Sequence, residues 1–352
     1  MQACTIDGYS IDLEPLSRAL SRASPRQIIL QLPDGLKHMA PGLVDCIAKE
    51  LGVDPSWIVV HGDSVFGACD LQAPKLGMLG DAIIAHVGHT PYPPELASSE
   101  LLRMATRRTV FLPARSIIPL DDIRDALVDA ARIASSYKPS VVALTATSQH
   151  AHLLHSIQRE LRNLGLNAVI PRGQKPYFED GQVIGCDYRV ARSVKADLFV
   201  IVAGGVFHPL GLYLSTLRPV VQVDPYRREA SDATSLGERV YRRRLYLISK
   251  AMDARTLALI IGLKEGQLRP WLAGLVERRA AEKGVKVYKY AVEYLTPSTL
   301  GNIDSPLIDA YVVTSCPRLP IDDFPDFHKP VLTPGEALMA LEGRLEPYRF
   351  PW

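Results

Sequence analysis

A run of apolar residues opened by aspartate occurs three times along the chain. Asp81 begins DAIIAHVG, Asp197 begins DLFVIVAGG and Asp309 begins DAYVVTSC, so the copies stand 116 and 112 residues apart. The same companions surround each copy. Two apolar runs precede it: IILQL from Ile28 and WIVVHG from Trp57, then VVALT from Val141 and NAVIP from Asn167, then LALII from Leu257 and VKVYKY from Val285. A short fourth run follows and ends in proline, FLP at Pro113, VQVDP at Pro225 and VLTP at Pro334. Amphipathic patterns lie between the runs, such as the Leu43, Ile47 and Leu51 stripe. Strands alternating with helices specify parallel βαβ units, and the prolines suit a chain leaving a sheet. The repeat predicts an α/β protein of three homologous domains, 1–116, 117–228 and 229–352. Each is expected to be a small, mostly parallel four-stranded sheet flanked by helices. The three would surround one centre with pseudo-threefold symmetry.

In such sheets ligands bind beyond the C-terminal strand edges, where loops and helix N-termini converge. Three of the five cysteines fall there, one per repeat. Cys69 lies in GDSVFGACD after the second strand of the first unit. Cys186 ends GQVIGCD, after the second strand of the middle unit. Cys316 lies in TSCPR, after the third strand of the last. An isolated cysteine is usually a small buried hydrophobe, and Cys46, inside an apolar helical pattern, reads that way. Cys4 reads equally as a small buried hydrophobe or as a frayed terminal residue. Three thiolates leave one coordination position open, and soft sulfur selects iron–sulfur clusters, zinc or copper. No CxxC pair is present, which argues against a zinc ribbon; a 4Fe–4S cluster on three cysteines keeps one iron free for substrate. Polar residues at equivalent edges are candidates for contact with a bound small molecule: Gly88 and His89, Gly204, Gly205 and His208, Gln222 and Asp224, and Gln267. The two adjacent glycines would offer backbone N–H groups to a carboxylate.

Composition sets limits. With 40 basic and 38 acidic residues the net charge is +2, which argues against general nucleic-acid binding. No apolar run reaches the length of a membrane span. The acidic residues near the N-terminus do not suit a signal peptide, so a cytoplasmic protein is expected. There, cysteines serve as ligands, nucleophiles or core residues rather than as disulfides. Arginine outnumbers lysine and asparagine is scarce, a combination found in some heat-adapted families.

In order, PDG (33–35), GACD, HVGHT (86–90), GQVIGCD, GGVFH (204–208), QVDP (222–225), LKEGQ (263–267), SCPR and PVLTP (330–334) resemble the motifs of the archaeal 2-(3-amino-3-carboxypropyl)histidine synthase family, the first enzyme of diphthamide biosynthesis. The resemblance spans nearly the whole chain. It implies a homodimer, with a 4Fe–4S cluster on Cys69, Cys186 and Cys316. It also implies a non-standard radical use of S-adenosylmethionine, with electrons from an unidentified donor. The 3-amino-3-carboxypropyl group would pass to C2 of a histidine imidazole in elongation factor 2. The family commonly has Tyr at Phe66, acidic residues at Leu71 and Gln72, glycine at Ala203 and Thr at Leu263. Two other readings are a dehydratase like quinolinate synthase, which also holds a cluster on three cysteines, and a cluster-carrying partner subunit without catalysis of its own.

Overall fold

The computed structural model describes residues 2–23, 25–97 and 100–351. A short hairpin comes first, β1 (Ala3–Ile6) and β2 (Tyr9–Asp12). The first parallel sheet is built from β3 (Gln27–Gln31), β4 (Ile58–Val60), β5 (Ala82–Val87) and β6 (Thr109–Leu112), after which β7 (Ala114–Ser116) returns to pair with β2. The middle sheet holds β8 (Val142–Ala146), β9 (Ala168–Val169), β10 (Leu198–Val202), β11 (Val220–Asp224) and β12 (Glu229–Asp232). The last holds β13 (Thr256–Gly262), β14 (Lys286–Val292), β15 (Ala310–Val313) and β16 (Val331–Leu332).

The strand orders are β4-β3-β5-β6, β9-β8-β10-β11-β12 and β14-β13-β15-β16. Counted within each repeat, all three begin with the order second, first, third, fourth, and those four strands run parallel. The inner strands are near-continuous Val, Ile, Leu and Ala because helices cover both faces; β8, β10 and β11 are buried throughout.

The recurring aspartate has a physical role. Asp197 Oδ2 accepts the N–H groups of Ser140 (2.9 Å) and Val141 (3.0 Å). Asp309 Oδ2 accepts those of Arg255 and Thr256, both at 2.9 Å. In the first unit the backbone carbonyl of Asp81 does the same for Arg26 (3.0 Å) and Gln27 (3.2 Å). Each aspartate thus ties the start of the third strand to the start of the first.

Three features depart from the expected plan. The middle sheet has a fifth strand, β12, antiparallel to β11 and lying past residue 228, the boundary expected from the repeat. A separate antiparallel sheet, β1-β2-β7, leans on the first unit. Cys4 is neither frayed nor free. It is a fully buried residue of β1, disulfide-bonded to Cys46, with the two Cα atoms 6.0 Å apart. The hairpin packs on the helix Ala40–Leu51, and this contact pairs two cysteines 42 residues apart. Among the described residues no helix is long and apolar enough to cross a membrane.

Candidate metal centre

A cavity of about 440 Å³ lies where the C-terminal edges of the three parallel sheets meet, and Cys69, Cys186 and Cys316 all line it. Each reaches the cavity by its own route. Cys69 sits in the loop after β4, where Asp70 N–H donates to the Gly67 carbonyl at 2.9 Å. Cys186 is at the tip of a tight turn closed by Ile184 and Asp187, whose backbones bond each other. Cys316 follows β15 directly, and its carbonyl accepts the N–H of Leu319 as a π-helical turn begins. The first and last units touch closely here: Gly266 N–H donates to the Cys69 carbonyl at 2.9 Å.

The three thiols act on one another. Burial pushes Cys69 up to about 12, and the Cys186 sulfur adds to the rise. Burial likewise lifts Cys186 to about 12, opposed by the Arg269 guanidinium and a hydrogen bond from Tyr92, with Cys316 raising it further. Cys316 rises to about 11 through burial and the Cys69 sulfur. Such a trio stays protonated at neutral pH unless a cation takes up the charge, as a metal centre does. Among the described residues no three Cys, His, Asp or Glu side chains are close enough to hold a single ion. A tetrahedral zinc, with Zn–S bonds of about 2.3 Å, needs its sulfurs roughly 3.8 Å apart. Three partly buried cysteines that line one cavity present an all-sulfur donor set, and soft sulfur selects iron–sulfur clusters, zinc or copper.

Beside Cys69 a chain of buried polar groups fixes the state of His89. Gln31 Nε2 donates to the Leu71 carbonyl (2.8 Å) and to His61 Nδ1 (3.3 Å). Gln31 Oε1 therefore accepts, and His86 Nδ1 donates to it at 2.7 Å. Burial holds His86 neutral, so its Nε2 is bare and accepts the proton of His89 Nδ1 at 3.0 Å. His89 is itself lowered to about 4 by burial, so its Nε2 is bare too. That nitrogen and the Cys69 sulfur both border the space beside Gly67, 3.6 and 4.0 Å from where a Cβ would stand. His89 thus offers the cavity a hydrogen-bond acceptor.

His208 and Gln267 also line the cavity. Burial lowers His208 to about 4, and Gln267 Nε2 donates to Cys69 Sγ at 3.5 Å. The other five candidates are not among the lining residues. Gly88 adopts a left-handed conformation, and its carbonyl accepts from Ser148 Oγ (3.3 Å) and Gln149 Nε2 (3.1 Å), which do line the cavity. Gln222 donates to the carbonyls of Ala203 (2.9 Å) and Gly205 (2.8 Å). Asp224 accepts the N–H groups of Gly205 (3.3 Å), Tyr226 (3.0 Å) and Arg227 (3.2 Å). Gly204 packs on the Tyr226 ring. The expectation that both glycines offer free N–H groups therefore fails at Gly205, whose N–H is already bonded to Asp224.

Several groups at or beside the cavity were not singled out as site residues from the sequence. Asp70 and Lys264 form a buried ion pair at 2.8 Å, with Lys264 Nζ also 3.8 Å from the centre of the Tyr294 ring. Burial raises the Asp70 carboxyl despite this partner. Tyr92, Thr147 and Gln182 add hydroxyl and amide groups. Phe207, Val292 and Leu295 supply apolar wall.

Fold and site together describe an α/β protein that gathers three cysteines from three parallel sheets around one cavity. The chain belongs to the family described as putative diphthamide synthesis protein, whose model matches residues 32–349. It is 29% identical over 347 residues to the 2-(3-amino-3-carboxypropyl)histidine synthase of Pyrococcus horikoshii, covering 97% of this chain and 93% of that one. It is 27% identical over 336 residues to 2-(3-amino-3-carboxypropyl)histidine synthase subunit 1 of Homo sapiens, covering 95% and 72%. Its fold matches the crystal structure of Dph2 from Pyrococcus horikoshii with a 4Fe–4S cluster, at a TM-score of 0.76 and 30% identity, over 97% of this chain and 93% of that one.

Proposed function

We propose that this chain is a transferase that moves the 3-amino-3-carboxypropyl group of S-adenosylmethionine onto a histidine of elongation factor 2, working as a cytoplasmic homodimer with a 4Fe–4S cluster on Cys69, Cys186 and Cys316. One observation supports it above the rest: the three cysteines, from three separate sheets, line one cavity. The names of the relatives supply the reaction class, and the related crystal structure contains a 4Fe–4S cluster, a group that cysteine sulfurs suit. When bound, such a cluster supplies one electron and an open iron, chemistry that acid–base side chains lack.

The protein's own groups have separable tasks. Three cysteines leave one iron without a protein ligand. The bare Nε2 of His89 accepts a hydrogen bond from an ammonium or hydroxyl group of the cosubstrate. The hydroxyls and amides of Thr147, Ser148 and Gln182 orient its polar atoms. Phe207, Val292 and Leu295 keep water away from a reactive fragment. The Lys264 ammonium, fixed by Asp70 and Tyr294, gives a carboxylate a cationic neighbour.

The test is anaerobic. Protein reduced with dithionite and given S-adenosylmethionine should release 5′-methylthioadenosine and modify elongation factor 2 without a second subunit. Absence of 5′-methylthioadenosine would defeat the transferase reading, and modification that needs another chain would favour a partner role. Cys69→Ala, Cys186→Ala and Cys316→Ala should each lose the brown colour and most bound iron, while Cys46→Ala keeps both.

A further inference from the structure

Arg269 is buried, at 1% exposure, and its guanidinium reaches all three cysteine-bearing segments. Nη1 donates to the carbonyls of Thr314 (3.0 Å) and Ser315, the two residues before Cys316. Nη2 donates to the Gly266 carbonyl at 3.1 Å, and Gly266 in turn holds the Cys69 carbonyl. Nη2 also donates to Tyr92 Oη at 2.8 Å, and Tyr92 Oη lies 3.3 Å from Cys186 Sγ. Nε donates to the Leu96 carbonyl at 2.7 Å, on the same stretch of chain as Tyr92.

The direction of the last link follows from the donors. A guanidinium only donates, so Tyr92 Oη accepts from it, and the single phenolic proton is left for the sulfur. The O–H···S bond is specific to Cys186. Cys69 receives a longer one from the Gln267 amide, so the three sulfurs are not electronically equal.

We propose that Arg269 and Tyr92 are positioning residues for the metal group: the guanidinium sets the three cysteine segments relative to one another, and the Tyr92 hydroxyl donates to the Cys186 sulfur and raises the reduction potential of the bound cluster. This rests on the reading that the three cysteines hold the cluster. Its physical basis is that hydrogen bonds to ligand sulfur draw off electron density and stabilise the reduced state. Removing the hydroxyl therefore makes reduction harder, and removing the fork of the guanidinium loosens the site.

The experiment compares wild-type protein with Tyr92→Phe and Arg269→Lys, each reconstituted anaerobically. Iron and sulfide per chain are counted, and midpoint potentials are measured by redox titration followed by electron spin resonance. Tyr92→Phe should bind as much iron as wild type and show a shift to lower midpoint potential. An unchanged midpoint at equal iron overturns the proposal. So does a folded Tyr92→Phe protein that takes up no iron, because the hydroxyl would then serve binding rather than potential. Arg269→Lys keeps a positive charge but cannot serve all these carbonyls, and it should lose iron; full iron content would also overturn the proposal. If Arg269→Lys does not fold, Tyr92→Phe decides alone. Wild-type protein without iron would instead defeat the cluster reading itself.

Discussion

Gly266 has no room for a side chain. A Cβ there would lie 2.4 Å from the Cα of Cys69 and 2.6 Å from its Cβ, and the neighbour is backbone that cannot swing aside. Gly266→Ala should therefore push the Cys69 loop off the cavity. The expected loss of stability is about 1–3 kcal/mol, typical of overpacking, together with lost iron; urea melts and iron counts check both. The cysteines were legible in sequence because each stands alone among small residues at a strand edge. The relay from Gln31 through His86 to His89 was not legible. Gln31 and His86 are 55 residues apart, and the tautomers follow from burial and hydrogen bonding that only the fold supplies. Gln222 and Asp224 show the opposite difficulty. A polar side chain at the end of a strand has the same sequence appearance whether it faces a ligand or, as here, bonds nearby backbone, Gln222 the turn at 203–205 and Asp224 both that turn and its own.

At the level of elements, the aspartates that open the third strands tie each sheet together at its N-terminal edge. Asp309→Ala removes an acceptor for two backbone N–H groups. These groups are solvent-exposed and can turn to water, so the expected cost is modest, about 1 kcal/mol in a urea melt. The hairpin contributes differently. Its disulfide closes a loop of 42 residues, which loop-closure entropy values at about 4 kcal/mol. Reduction with a strong thiol should lower the melting temperature while leaving iron content unchanged; bleaching on reduction would mean that the hairpin supports the metal centre. The twelve parallel strands were readable because apolar runs recur in one order. The hairpin, β7 and β12 were not, being short strands that alternate burial or are largely exposed. The pairing of Cys4 with Cys46 followed the hairpin out of sight, since no local pattern shows that a terminal strand will cross a particular helix.

For the molecule as a whole, burial of imidazoles makes stability depend on pH. His150 is 1% exposed and lowered to about 4 by burial, and His61 and His152 are lowered for the same main reason. The unfolded chain binds protons on these rings near pH 6.5, whereas the folded one does not. For His150 stability is therefore complete above about pH 6.5 and falls as the pH drops towards 4, by up to about 1.4 kcal/mol per pH unit, and His61 and His152 add to the fall in the same direction. Asp70, Asp187 and Glu265, raised by burial, act oppositely at the acid end. The steepest loss is thus expected between about pH 6.5 and 5. Urea midpoints across that range measure it, and His150→Gln should shrink the drop; a midpoint that does not move would contradict the sign. The shared cavity also orders events in time. Cys186 follows Cys69 by 117 residues and Cys316 follows Cys186 by 130, so the three are synthesised well apart in time. On the proposed donor set no complete site exists until Cys316 has been made, so cluster loading would follow synthesis of the last of the three segments. A chain cut short before Cys316 would lack the third sulfur donor and, on that reading, should be colourless.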